Sequence, residues 1–107
     1  MESVDDSKVK SELQPIVTTV RRLYEARKLV AKQREVEDNS LKLAVLVQRL
    51  GQDTIPRRIS DVLLQICEAL KNNDEELALK MHVQLTTSEW SECSPWLPVL
   101  KRIMAVR

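Results

Sequence analysis

VQRLGQDTIPRRISDVLLQICEALKNND, residues 47–74, holds the only glycine of the 107-residue chain and a six-residue apolar stripe at helical spacing. Ile59, Val62, Leu63, Ile66, Cys67 and Leu70 recur at intervals of three and four, which places them on one face of an α-helix. Thr54 offers a cap and Pro56 an early helical position, where the missing N–H matters little. Gly51 is expected in the left-handed conformation that ends the preceding helix. Asn72, Asn73 and Asp74 stop the third helix and cap a fourth. One glycine cannot furnish a phosphate-cradling loop or a dinucleotide fingerprint. It also starves tight hairpins of positive-φ positions, which argues against a sheet.

Working outward, Leu13, Ile16, Val17, Val20, Leu23 and Tyr24 mark a first helix, with Pro15 in its first turn. Val36, Leu43, Leu46, Val47 and Leu50 mark a second. Leu77, Ala78, Met81 and Leu85 carry the fourth. Ser94 before Pro95 reads as the start of a fifth, with Trp96, Leu97, Leu100, Ile103 and Met104 as its apolar side. The expected fold is all-α: a compact five-helix bundle with short loops and helices about 12–32, 35–50, 56–71, 74–87 and 94–106. Residues 1–10 read as a flexible N-terminal tail and 11–107 as a single domain. Leu43, Leu46, Leu63, Ile66, Leu70, Met81, Leu85, Trp96 and Leu100 are the expected core anchors.

The ambiguous stretch is KLVAKQRE, residues 28–35, which contains no helix breaker. Propensity alone allows one helix over 12–50, roughly 58 Å long at about 1.5 Å per residue. Lys28, Lys32 and Arg34 suit a helix C-terminus while Glu35, Glu37 and Asp38 suit an N-terminus. The dipole therefore places a break near 32–35.

Lys and Arg total 17 against 16 Asp and Glu, so no global field draws the chain to nucleic acid or an anionic membrane. No apolar run approaches the roughly 20 residues of a membrane-spanning helix. The start, Met1-Glu2-Ser3 with Asp5 and Asp6, lacks the character of a secretory signal. Cys67 and Cys93 with one histidine make no zinc set. Cys93 as a nucleophile would need His82 within reach and a third, orienting group, and none is apparent. The candidate contact surface is the basic end of the first helix, Arg21, Arg22, Arg27 and Lys28, together with Trp90, Lys101 and Arg102. With Lys32 and Arg34 added, that helix end opposes six cations to Glu25 alone. Tyr24 is its only aromatic neighbour, too little for the stacking platform of a single-strand binder. An acidic partner or solvent suits it better.

REVEDNSLKLAVLVQRL (34–50), LKNNDEELALKMHVQLTTSEWSEC (70–93) and the segment Trp96–Met104 resemble the C-terminal helical domain of the large outer-coat subunit of the COPII vesicle coat, in its plant form especially. The resemblance covers about residues 13–105. The same domain family includes the steroid receptor RNA activator protein, to which the Trp96 and Lys101-Arg102 region is also similar. It implies a five-helix bundle without enzymatic activity or cofactor, a part in coat assembly in endoplasmic reticulum to Golgi transport, and other COPII coat subunits as partners. It further implies a monomer or weak dimer with no small-molecule substrate, located in the cytoplasm at endoplasmic reticulum exit sites and COPII vesicles and touching membrane only through the coat. The alternative is a nuclear transcription co-regulator or RNA-associated module. Family members carry a longer, turn-rich link between the first two helices. The propeller, rod and proline-rich parts of the full coat subunit are absent, which leaves an excised domain and a small relative both open.

Overall fold

The computed structural model describes Met1 and residues 4–105, and every regular element among them is helical. A 3-10 turn (Ser11–Leu13) leads into α1 (Gln14–Lys28), followed by α2 (Gln33–Gly51), α3 (Arg57–Lys71), α4 (Glu75–Ser88), the single-turn α5 (Trp90–Cys93) and α6 (Leu97–Met104). The all-α expectation holds, and the five longer helices are the five expected. α5 is an addition, formed within the stretch read as a connection. The expected end at 106 lies outside the described residues.

α3 and α4 form the most extensive helix pair, while α1 contacts α2, α3 and α6. Between them Leu43, Leu46 and Leu50 of α2, Ile59, Leu63 and Ile66 of α3, and Leu97 and Ile103 of α6 are fully enclosed. Each such side chain contributes about 1.5–3 kcal/mol by leaving water. Leu70, Leu85, Trp96 and Leu100 are also buried, and Met81 packs partly buried against the cluster. The radius of gyration, 12.7 Å, matches the roughly 13 Å of a compact chain of this length.

α1 ends earlier than expected, at Lys28, and the chain turns through 29–32 with Lys32 extended (φ −72°, ψ 155°). Local sequence supplies no breaker there, so tertiary burial decides. Folding back lets Val17, Val20 and Tyr24 of α1 share an interior with Val36, Leu43 and Val47 of α2, and that outweighs the few tenths of a kcal/mol per residue that propensity offers a continuous helix.

α2 ends differently from the expectation. Gly51 lies inside the helix, and the left-handed residue is Asp53 (φ 58°). Thr54 N–H donates to Arg49 O (3.1 Å) and Asp53 N–H to Leu50 O (3.2 Å), the paired bonds of a Schellman ending. The Thr54 hydroxyl donates to the same Arg49 carbonyl, so it closes α2 and does not cap α3. α3 repeats the device: Asn73 (φ 59°) is left-handed and Asp74 N–H donates to Ala69 O (2.8 Å). Asp74 then accepts from Leu77 N–H (3.1 Å) and caps α4 as expected.

The buried face of α4 runs through Ala78, His82 and Leu85 and leaves Leu77, expected inside, 43% exposed. α6 begins three residues later than expected. Ser94 and Pro95 lie in a turn, Trp96 holds the cap position and Pro98 sits in the first helical turn. Within the first ten residues, read as a flexible tail, the described Met1 and residues 4–10 lie against the bundle. Val9 is buried, Val4 packs on the core, and Gln14 Nε2 donates to the carbonyls of Asp6 (3.2 Å) and Val9 (3.0 Å).

Candidate interaction surface

The basic residues singled out in the sequence do not stand as one open patch. Arg21 sits under the N-terminal segment, donating to Met1 O (3.1 Å) and Val4 O (3.0 Å) with Asp6 at 3.7 Å. Arg27 makes a two-pronged ion pair across the α1–α2 turn, from Nε to Glu35 Oε2 (2.7 Å) and from Nη2 to Oε1 (2.8 Å). Lys28 lies over the Tyr24 ring at 5.6 Å and 3.9 Å from Glu25. Arg22 is exposed on α1.

Arg102 reaches from α6 back to α2. Its Nη1 donates to Asp38 Oδ2 (3.0 Å) and to Asn39 Oδ1 (2.8 Å), and Lys42 holds the other oxygen of Asp38 at 3.0 Å. Asn39, 1% exposed, completes the seam by donating from Nδ2 to Glu35 Oε2 (3.2 Å). The hydrogen bonds from Arg27 hold the Glu35 carboxyl down to about 2 against the opposing effect of burial, with Asn39 helping. Asp38 is likewise lowered, first by Arg102 and then by Lys42. Three helices are thus tied by a polar chain whose central residues, Glu35, Asp38 and Asn39, were not among the sequence candidates. Their i, i+3 and i+4 spacing on one side of α2 was the available signal.

Arg27 and Arg102 also line an open groove of about 630 Å³ whose other walls are Val30, Ala31 and Lys32 of the turn and Arg34, Glu35 and Asp38 of α2. Lys101 is exposed on α6 and lines a different, smaller groove with Leu79 and Met104. Trp90, 49% exposed, belongs to α5, which Arg49 and Arg58 fasten: Arg49 Nη1 donates to Glu92 O (3.1 Å) and Arg58 pairs with Glu89 (2.8 Å). Leu79 and Val83 of α4 add further exposed apolar surface.

The groups with reactive potential are occupied or muted. His82 is buried, and its Nε2 lies 2.7 Å from Leu97 O, so the ring donates there as neutral imidazole and burial lowers its pKa. The Cys93 thiol is fully enclosed and pushed up to about 11, mainly by burial, with Glu89 and Glu92 adding to it. Cys67 is raised by burial as well. Protonated thiols are poor nucleophiles. No group of three metal-ligating side chains occurs among the described residues.

These exposed charged and apolar residues cover a sealed interior, and comparison with known proteins gives them a context. Over 95% of its length the chain is 43% identical to the Arabidopsis thaliana protein transport protein SEC31 homolog B. The similarity to a SEC31 protein thus runs over nearly the whole chain. It is also 26% identical, over 67% of its length, to the protein transport protein sec31 of Aspergillus fumigatus. The chain spans 10% of the plant protein's length and 6% of the fungal one. No family model and no solved structure matches it.

Proposed function

We propose that the chain is a non-catalytic interaction module of the COPII outer coat, contributing to coat assembly in endoplasmic reticulum to Golgi transport. The observation that carries this reading is the 43% identity to a SEC31 protein over nearly the whole chain. The partners are other coat subunits, engaged from the cytoplasmic side at endoplasmic reticulum exit sites and on COPII vesicles. No helix among the described residues is long and apolar enough to cross a membrane, which fits contact with membrane through the coat. A buried and a half-buried thiol, a histidine bound to a backbone carbonyl and two separate grooves, one reached by Arg102 and one by Lys101 of α6, favour binding over chemistry.

The RNA-associated alternative draws less support. Arg27 and Arg102, which a phosphate backbone would need, are engaged by Glu35 and Asp38, and Tyr24, the aromatic of that region, is buried. An RNA titration at two ionic strengths is expected to show no salt-steep binding.

The test is replacement in the plant relative. SEC31 homolog B carrying this chain in place of its matching segment is expected to support secretory cargo export, and the same protein lacking the segment to be impaired. A replacement no better than the deletion, with the chimaera present at normal level, overturns the reading.

A further inference from the structure

We propose that the groove between the α1–α2 turn and α6 binds an acidic peptide segment carrying aliphatic side chains. The proposal goes beyond the coat reading and does not depend on it. Val30 and Ala31 supply the apolar lining of the groove. Val30 is 70% exposed, and Leu29 beside it is 87% exposed, the highest value of any large apolar residue among those described. A four-residue surface turn is ordinarily polar, because polar residues serve the turn and keep their hydration. Two adjacent, outward aliphatic residues there provide contact area that water does not reward.

Charge selects the occupant. Four cations line the groove, Arg27, Lys32, Arg34 and Arg102, against the carboxylates of Glu35 and Asp38, a net of +2 from 4 − 2. Arg27 is spent on Glu35 and Arg102 on Asp38 and Asn39. Lys32 and Arg34 are exposed and form no ion pair among the described residues. The uncompensated charge is therefore positive and stands beside the apolar lining from Val30 and Ala31. A peptide with carboxylates beside Leu-like side chains meets both features at once.

An anionic bilayer meets them less well. Two cations at about 1 kcal/mol each and two aliphatic residues fall short of the two signals that stable membrane attachment takes. A flat surface resting on the turn would also approach Glu37, which is exposed on the adjoining turn of α2.

The probe is a short fluorescein-labelled peptide alternating Glu and Leu, titrated with the 107-residue chain and read by anisotropy. Comparison peptides carry Ser for Leu, or Lys for Glu. Binding is expected for the Glu-Leu peptide only, weakening as salt rises from about 50 to about 300 mM because screening shortens the reach of the outer cations. Val30→Asp, and separately Lys32→Glu with Arg34→Glu, are expected to weaken it about tenfold or more, the size of effect that loss of complementary groups produces. Lys80→Glu, exposed on α4 and outside the groove, leaves it unchanged. All the altered side chains are exposed, and circular dichroism confirms the fold of each variant. No binding of the Glu-Leu peptide, or binding that the groove variants do not weaken, overturns the proposal. So does variant-sensitive sedimentation with phosphatidylserine vesicles without peptide binding, which would make the turn a membrane contact.

Discussion

The side-chain amide of Asn39 joins two ion pairs that lie on opposite sides of it: its Nδ2 donates to Glu35, which Arg27 holds, and its Oδ1 accepts from Arg102, which also holds Asp38. One buried amide on α2 thereby registers α1 and α6 against the same turn of helix. Removing it leaves Glu35 and Arg102 each short of a partner in a partly dry setting, the arrangement in which networks are worth more than single bonds.

Asn39→Leu is therefore expected to destabilise the fold by about 1–3 kcal/mol despite its greater hydrophobicity, because the partners stay behind unsatisfied. Equilibrium urea unfolding measures it. In the same assay a double-mutant cycle on Arg27→Ala and Glu35→Ala is expected to give a coupling of about 0.5–3 kcal/mol. Strict additivity would show that the pair across the turn does not act as a unit.

Acid should weaken the protein in two separable stages. His82 is lowered from its ordinary 6.5 by burial, so below that pH the unfolded chain takes up the proton first and stability falls until the folded-state value is passed. Glu35 is lowered from 4.5 to about 2, so its contribution is complete above 4.5 and disappears as pH falls toward 2. His82→Gln should flatten the upper stage and Glu35→Gln the lower one, read as unfolding free energy against pH. If His82→Gln leaves the slope below 6.5 unchanged, the buried neutral ring is the wrong description.

Gly51 offers a test of opposite sign from the sequence expectation. A glycine in the left-handed conformation would resist alanine, whereas this one is helical, and an added Cβ would meet Lys8 Cβ at 3.6 Å and Val9 Cγ2 at 3.9 Å, ordinary contact distances. Gly51→Ala is expected to stabilise by about 0.5–1 kcal/mol through helix propensity and a less free unfolded chain. A loss of stability would contradict both the helical backbone at Gly51 and the way the N-terminal segment crosses it.

The two tryptophans should behave differently. Trp96 is 1% exposed at the start of α6, and Trp96→Ala is expected to cost about 3–5 kcal/mol. Trp96 Nε1 has no hydrogen-bond partner among the described residues, so Trp96→Phe should be far milder. Trp90→Ala, on a half-exposed ring, should stay within about 1 kcal/mol in the thermal or urea unfolding of the isolated chain.

The helices were legible because their stripes are periodic: Ile59, Leu63, Ile66 and Leu70 could bury one face only as a helix. Their ends were less so. The charges over 28–38 announced a break between α1 and α2 but placed it a few residues late; no residue marks the turn just after Lys28, which is set where α1 and α2 can share a core, a fact outside any local window. At Gly51 composition misled, since glycine usually closes a helix, and here the closing residue is Asp53, with Thr54 supplying the second bond. The basic surface was visible as charge but not as pairing. The carboxylates that engage Arg27 and Arg102 come from another helix: folding back at 29–32 brings Glu35 to Arg27, and the packing of α6 on α2 brings Asp38 to Arg102. Asn39 was invisible for the same reason, a polar residue whose two partners lie in α2 and α6.

The most direct measurement is sedimentation velocity of the folded 107-residue chain with purified COPII outer-coat complex lacking the segment that matches this chain. The coat-module account predicts a faster boundary containing both, with the chain depleted from its free position. Independent sedimentation of the two, with the chain's helical circular dichroism intact, would contradict it.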